Sequence, residues 1–426
     1  LLPLLLGGAV GLGGILQGLH WRSVANTSGM ADLETQLRIA AEENAMLKRE
    51  NESLRSLAQG GGEVAVPREA IDRAEKEFGL RFLSNPVVHR IAGEELRDRV
   101  AAAIESRFGP SGIDDRQEAW RLIGWLGPDD DLLAQLTLVR SVGARGWFDD
   151  VTGEAWVTDR YDPDSIPDQA ALVRLLARIL LHQHFPPPPA YPGDDAARAR
   201  EALHQGAASG SEARFYALGA RSIGFMPMQE NKEVEQLFNS LPPFIQGLTT
   251  FAVVEGKGLA DTLHVQGNEV FQKAFRNPPQ TTRAILLPAR TSVPPGLEIP
   301  ATPEEPYLSE TAGQLGLRLW LEPMDDAGAA LEISSCWEND RYQLIPDGEA
   351  SAALVWDIEL ESKEAADRLQ AAALDRVAAM AGLNESAELG KISTTPDQRH
   401  LRISRPSPVR VRFLNTATPE LAAKFN

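Results

Sequence analysis

The chain has 426 residues, 43% of them hydrophobic, and a net charge of −18, which allows about two or three domains with real cores and excludes a disordered scaffold. The acidic balance argues against nucleic-acid binding and against attraction to anionic lipid, so any membrane contact must come from an apolar anchor. The single Cys336 excludes an intrachain disulfide and a cysteine zinc cluster.

Residues 1–19, LLPLLLGGAVGLGGILQGL, carry no charge and lead into His20, Trp21 and Arg22. The pattern predicts a membrane helix over 1–21 with an interfacial aromatic at its end. An uncleaved anchor fits the length of the run better than a signal peptide cut after Ser23-Val24-Ala25. Gly7, Gly8, Gly11, Gly13 and Gly14 either permit close helix approach in the bilayer or simply mark a Gly-rich anchor.

Residues 26–58 carry the clearest periodicity. Leu33, Leu37, Ala40, Asn44, Leu47, Asn51 and Leu54 are spaced 4, 3, 4, 3, 4, 3. Leucine at d with asparagine at a predicts a parallel two-stranded coiled coil, hence a homodimer. The alternative is one amphipathic helix packed on its own domain. Gln59-Gly60-Gly61-Gly62 then breaks the helix, giving a flexible linker over 59–64.

Residues 65–289 read as one mostly helical domain. Helices are expected at Glu69–Phe78, Gly93–Phe108, Gln117–Leu126 and Asp130–Val142, where the Asp129–Asp131 run supplies an N-cap. Trp147-Phe148 and Ala155-Trp156-Val157 flank the turn Asp150–Gly153, which predicts a β-hairpin. A helix at Asp168–Phe185 stops at four prolines. A second begins at Asp194, where Asp194 and Asp195 read as a solvated N-cap pair. Further on come a helix, a Gly-interrupted helix at Gly256–Leu263, and another before Asn277-Pro278-Pro279.

The Pro-rich stretch 290–309 reads as a connector to a C-terminal α+β domain, 310–426. Strands are expected there at Leu315–Leu321, Ala330–Ser334, Tyr342–Ile345, Ala352–Leu360, His400–Ser404 and Val409–Phe413, with a helix at Lys363–Met380. The fold class expected for the whole chain is α+β behind an anchor and stalk.

Six stretches, in order, resemble a family of exported or membrane-anchored bacterial zincin-type metallopeptidases. Gly146–Val157 resembles its G-[FY]-Y-D-x-x-T-G-x-L-Y-V segment. Leu180–Phe185 resembles the end of its active helix, H-E-L-x-H-A-L-Q-D-Q-H-F, and Ala202–Ala208 its A-L-x-E-G-x-A helix. Pro278–Pro288, the run Cys336–Tyr342 and the Val355-Trp356 pair with the Lys363–Leu369 helix resemble its P-P-x-S-T-E-Q-I-L-H-P, G-W-x-G-D-R and V-W motifs.

The resemblance implies a zinc site, and that site is missing from this sequence. The H, E and second H of H-E-x-x-H fall on Arg174, Leu175 and Arg178, and the third-ligand glutamate falls on Gln205. Catalytic zinc needs three protein ligands, an open water position and a general base. Guanidinium keeps its charge and repels a dication, and leucine cannot take a proton. A rescue site from His182, His184 and His204 is disfavoured, because His182 and His184 are two apart on a helix and about 200° around it. Arg174 and Arg178 either bind a partner carboxylate or pair with acids of the old cleft.

The expectation is therefore a catalytically inactive metallopeptidase homologue with no cofactor. It would be anchored in a bacterial membrane by one span, with its globular part on the periplasmic side as the resemblance implies. It would serve as a structural or binding subunit among other membrane-complex proteins. The alternatives are an active extracytoplasmic hydrolase with a relocated metal site, and a purely structural stalk protein whose cleft is filled.

Overall fold

A computed structural model describes residues 62–425, apart from 110–111, 189, 224–231, 291, 295–296, 300–304, 325–326 and 349–350. The expected anchor (1–21) and the coiled-coil positions Leu33, Leu37, Ala40, Asn44, Leu47, Asn51 and Leu54 lie outside the described residues. Among the described residues, no helix is long and apolar enough to cross a membrane.

The fold is α+β. The chain enters through 62–64, the end of the expected linker, which lies against 88–90: the Val64 N–H donates to the Val88 carbonyl at 2.7 Å. Helix α1 (Arg68–Phe78) ends at Gly79 in the left-handed region, where glycine has no Cβ penalty. Strand β1 (His89–Ile91), helices α2 (Gly93–Phe108), α3 (Gly112–Ile123) and α4 (Leu132–Ser141), and the hairpin β2 (Gly146–Phe148) and β3 (Ala155–Thr158) follow. Asp131 caps α4, accepting from the Ala134 N–H at 2.8 Å. The strands make a small sheet in the order β1-β3-β2, with β1 parallel to β3.

Helix α5 (Ile166–His184) is the centre of the helical layer. Pro167 sits in its first turn, where no donor is lost. Leu172, Val173, Leu175, Leu176, Ala177, Ile179, Leu180 and Leu181 are all buried, so the helix is covered nearly all round rather than on one face. Helix α6 (Asp194–Ile223) runs back along it. After α7 (Lys232–Asn239) comes α8 (Pro243–Val265), then α9 (Asn268–Arg276) and the short α10 (Thr282–Leu286). The expected glycine break at Gly256–Leu263 does not occur: α8 runs unbroken through it. Gly256 and Gly206 of α6 put two backbones in contact, since a Cβ on Gly206 would lie 2.1 Å from the Gly256 carbonyl carbon. Here glycine serves helix–helix approach, and tertiary packing overrides its low helix propensity.

The C-terminal part is a six-stranded antiparallel sheet, ordered β4-β5-β6-β9-β8-β7, from β4 (Leu308–Glu310), β5 (Trp337–Pro346), β6 (Ala352–Leu360), β7 (Ser393–Thr394), β8 (His400–Ser407) and β9 (Arg410–Thr416). Helix α13 (Lys363–Ala381) lies against it, capped by Ser362 and closed by Gly382. Two expected strands are helices instead: Leu315–Leu321 lies in α11 (Gly313–Leu321) and Ala330–Ser334 in α12 (Ala327–Ser335). Leu315–Leu321 is buried almost throughout, so no face shows in its period, while Ala330–Ser334 buries Ala330, Ile333 and Ser334 and exposes Leu331 and Glu332, a helical spacing too short to stand out. The chain closes with α14 (Pro419–Lys424).

One core joins the two parts. Trp120 and Trp125 from the α3 region, Phe244 of α8, Trp320 of α11 and Trp356 and Phe413 of the sheet belong to a single buried cluster. Trp125 stacks on Phe244 at 4.2 Å and meets Trp356 edge-on at 5.6 Å. The expected boundary at 290–309 is thus spanned by shared packing, and its last residues already form β4.

Candidate functional site

Helices α5 and α6 carry Arg174, Leu175, Arg178 and Gln205, the four positions singled out in the sequence. Arg174 Nη2 donates to the Gln205 amide oxygen Oε1 at 3.4 Å, and its Nη1 lies 3.9 Å from Glu212. Arg174 and Gln205 therefore face each other across two packed helices. Leu175 is turned into the apolar cluster under the β2–β3 hairpin, where its Cδ1 packs against Gly146. Arg178 is 3% exposed and ion-pairs with Asp150 of the hairpin turn. Its guanidinium lies 5.3 Å from the Phe148 ring, and its Nη1 has no hydrogen-bond partner. The turn is seated on α5 by two further contacts. Gly153, at positive φ, sits where a side chain would collide with the His182 ring, and His182 Nε2 meets the Asp150 carbonyl at 3.0 Å.

The remaining histidines go to separate partners. His184 Nε2 is 2.7 Å from the Arg81 carbonyl. His204 is buried, edge-on to Phe275 at 4.9 Å, with Nε2 unpartnered. Burial, then the charges of Arg178, Arg200 and His182, push the His204 pKa well below the ordinary value, so it is neutral. Burial lowers His182 as well. Among the described residues, no three His, Cys, Asp or Glu side chains cluster as a metal site would need.

A second polar centre was not visible in the sequence. Asp194 and Asp195 are not a solvated cap: they are 2% and 3% exposed. Asp194 accepts from Arg116 Nε at 2.9 Å, Tyr191 Oη at 2.7 Å and Tyr342 Oη at 2.7 Å. Its N–H donates to Glu310, which also accepts from Arg116 Nη2 at 2.6 Å. Burial raises the Glu310 pKa to about 7, with Asp194 adding to the rise. Asp195 accepts from the Thr282 N–H and hydroxyl at 3.0 and 2.6 Å, while its Oδ2 has no partner.

Asp340 completes the centre. It accepts from the N–H groups of Ala312 and Gly313 and from the indoles of Trp337 and Trp356, all at 2.8–2.9 Å. Asp340 and Thr282, which accepts from the Leu315 N–H at 3.1 Å, occupy the N-terminus of α11, where orphan donors and the helix dipole favour negative charge. Thr282, Trp337, Asp340 and Trp356 come from three of the stretches that carry the resemblance, and all four meet here. The arrangement is a joint between the helical layer and the sheet.

Residues 305–424, which run from just before β4 to the end of α14, match the family model for a domain of unknown function (DUF8575). No curated protein and no solved structure matches the chain.

Proposed function

We propose that the chain is a catalytically inactive relative of zincin-type metallopeptidases, anchored in a membrane by its N-terminal segment and acting as a structural or binding subunit of a larger assembly. The observation that carries this reading is the contact between Arg174 and Gln205, with Arg178 one helical turn along. Three ligand positions of a lost site would stand in this relation on neighbouring helices. Their donors do not fit zinc: two are fixed cations, and a neutral amide cannot offset the charge of the ion. Leu175, in the place of the general base, is buried among apolar side chains.

The stalk and dimer are part of the same proposal and rest on the periodicity of 26–58. Metal analysis of the purified full chain tests the site: the expected result is no stoichiometric zinc. Stoichiometric zinc that is lost in His182→Ala or His184→Ala would sink the reading in favour of a hydrolase with relocated ligands. Light scattering of the detergent-solubilised full chain tests the stalk, and a monomer at micromolar concentration would reject it.

A further inference from the structure

Beside the lost ligand positions, helices α2, α4, α5 and α6 and the hairpin turn bring four guanidinium groups around two carboxylates. Arg107 and Arg140 share Glu201, at 3.5 and 3.1 Å. Arg178 takes Asp150. Arg200 donates to the carbonyls of Phe185 and Pro186 at 2.7 and 2.8 Å. The groups sense one another: Asp150 and Arg178 both act on Glu201 and on Arg200. Four cations against two anions leave an excess of two positive charges, in a chain whose net charge is −18. The cluster is reached by solvent, with Arg140 31% and Asp150 40% exposed. Walls of protein around such a group concentrate its field. Guanidinium forks match carboxylates in plane and can hold them through two bonds.

We propose that this cluster binds a carboxylate from an acidic segment of a partner polypeptide, with Arg107 and Arg140 as first contacts and Asp150 as an internal occupant of Arg178 that competes with it. The proposal deepens the binding role proposed above and depends on it. Asp150 comes from a turn, not from a regular element, so it is the carboxylate most easily displaced. Arg178 Nη1, buried and without a partner, shows that this internal pairing leaves part of the guanidinium unused.

The test is fluorescence anisotropy of the full chain with a labelled, C-terminally amidated pentaglutamate peptide, beside a pentaglutamine control, at low ionic strength. The expected result is saturable binding of the glutamate peptide alone, weakened by salt as exposed charge pairs are. Arg107→Gln and Arg140→Gln each weaken it about tenfold, the value of one charge-assisted hydrogen bond. Asp150→Asn tightens it. Arg140 is the more exposed of the two arginines that hold Glu201, so its variant keeps the test open if the other does not fold; circular dichroism checks each. Absence of saturable binding, affinity unchanged in Arg140→Gln, or binding of inorganic phosphate without binding of the peptide would overturn the proposal. None of these outcomes changes zinc content, so failure here is distinct from failure of the inactive-site reading.

Discussion

Asp195 gives the sharpest quantitative expectation. Its carboxyl is 3% exposed and only one of its oxygens is hydrogen-bonded, to Thr282. Burial raises its pKa from an ordinary 3.8 to about 7. Asp340 of β5 adds to the rise, while Thr282 beside α10 and Arg198 on its own helix oppose it. The α11 side offers the backbone of Gly313, so close that a Cβ there would lie 1.9 Å from Asp195 Oδ1. The folded pKa is above the unfolded one. The group's contribution is therefore fully present below about pH 4 and is lost as pH rises through 7.

Linkage sets the size. With pKa values of 3.8 unfolded and about 7 folded, ionisation of the unfolded chain costs the native state about 1.7 kcal/mol at pH 5 and about 4.3 kcal/mol at pH 8. Asp195→Asn removes the titration and keeps an oxygen for Thr282. The variant should therefore gain about 2.6 kcal/mol on the wild type between pH 5 and pH 8. Urea unfolding of both proteins at half-unit pH steps measures the gap, and the other titrating groups largely cancel in the difference. Two curves that stay parallel over this range would mean that Asp195 is ionised in the fold, and the burial argument would be refuted.

Other changes should act through packing and pairing. Gly206→Ala drives a methyl into the Gly256 backbone and should cost about 2 kcal/mol or more, read as a lower melting temperature. Gly258→Ala, on α8 two residues beyond Gly256 but with open space around its Cβ position, should stabilise by about 0.5–1 kcal/mol. Arg412 and Asp357 form a bidentate pair at 2.6 and 2.8 Å, at 2% and 0% exposure. Arg412→Met should cost about 3–5 kcal/mol by stranding Asp357, and adding Asp357→Leu should recover most of it in a double-mutant cycle. Asp340→Asn turns an amide N–H₂ toward donors and should cost about 1–3 kcal/mol, with altered near-ultraviolet circular dichroism from Trp337 and Trp356.

Legibility in the sequence followed locality. Helix α2 matches its predicted span Gly93–Phe108, and α13 (Lys363–Ala381) runs one residue past its predicted span Lys363–Met380, its ends fixed by local capping at Ser362 and Gly382. The β2–β3 hairpin was equally plain from its turn residues. Helices α11 and α12 were not: Leu315–Leu321 is buried almost throughout and shows no face, and the helical spacing of Ala330, Ile333 and Ser334 covers too few residues to tell from a strand. Asp194 and Asp195 failed for a different reason. An acidic pair at a helix start looks the same whether its lone pairs go to water or to Arg116, Tyr342 and Thr282. Those partners lie between 78 and 148 residues away, and no local signature announces them. At the α5–α6 site the motif frame located Arg174, Arg178 and Gln205, but not Asp150, whose role depends on how the hairpin is laid.

The joint bears on what the C-terminal match means physically. Residues 305–424 contribute Glu310, Asp340 and Tyr342 to it, and residues before 290 contribute Arg116, Asp194, Asp195, Arg198 and Thr282. Cut at 305, Glu310 would lose Arg116, and Trp356 would lose the cover of Trp125. Exposed aromatic surface and an unpaired acid both disfavour an isolated domain. Asp340 and the Thr282 hydroxyl set the orientation of α11 through its N-terminal donors, and α11 carries Trp320 into the shared core. The helical layer is thus joined to the sheet by shared packing, in which Ala199 and Ala202 of α6 take part, while the buried residues of α5 form a separate apolar cluster under the hairpin.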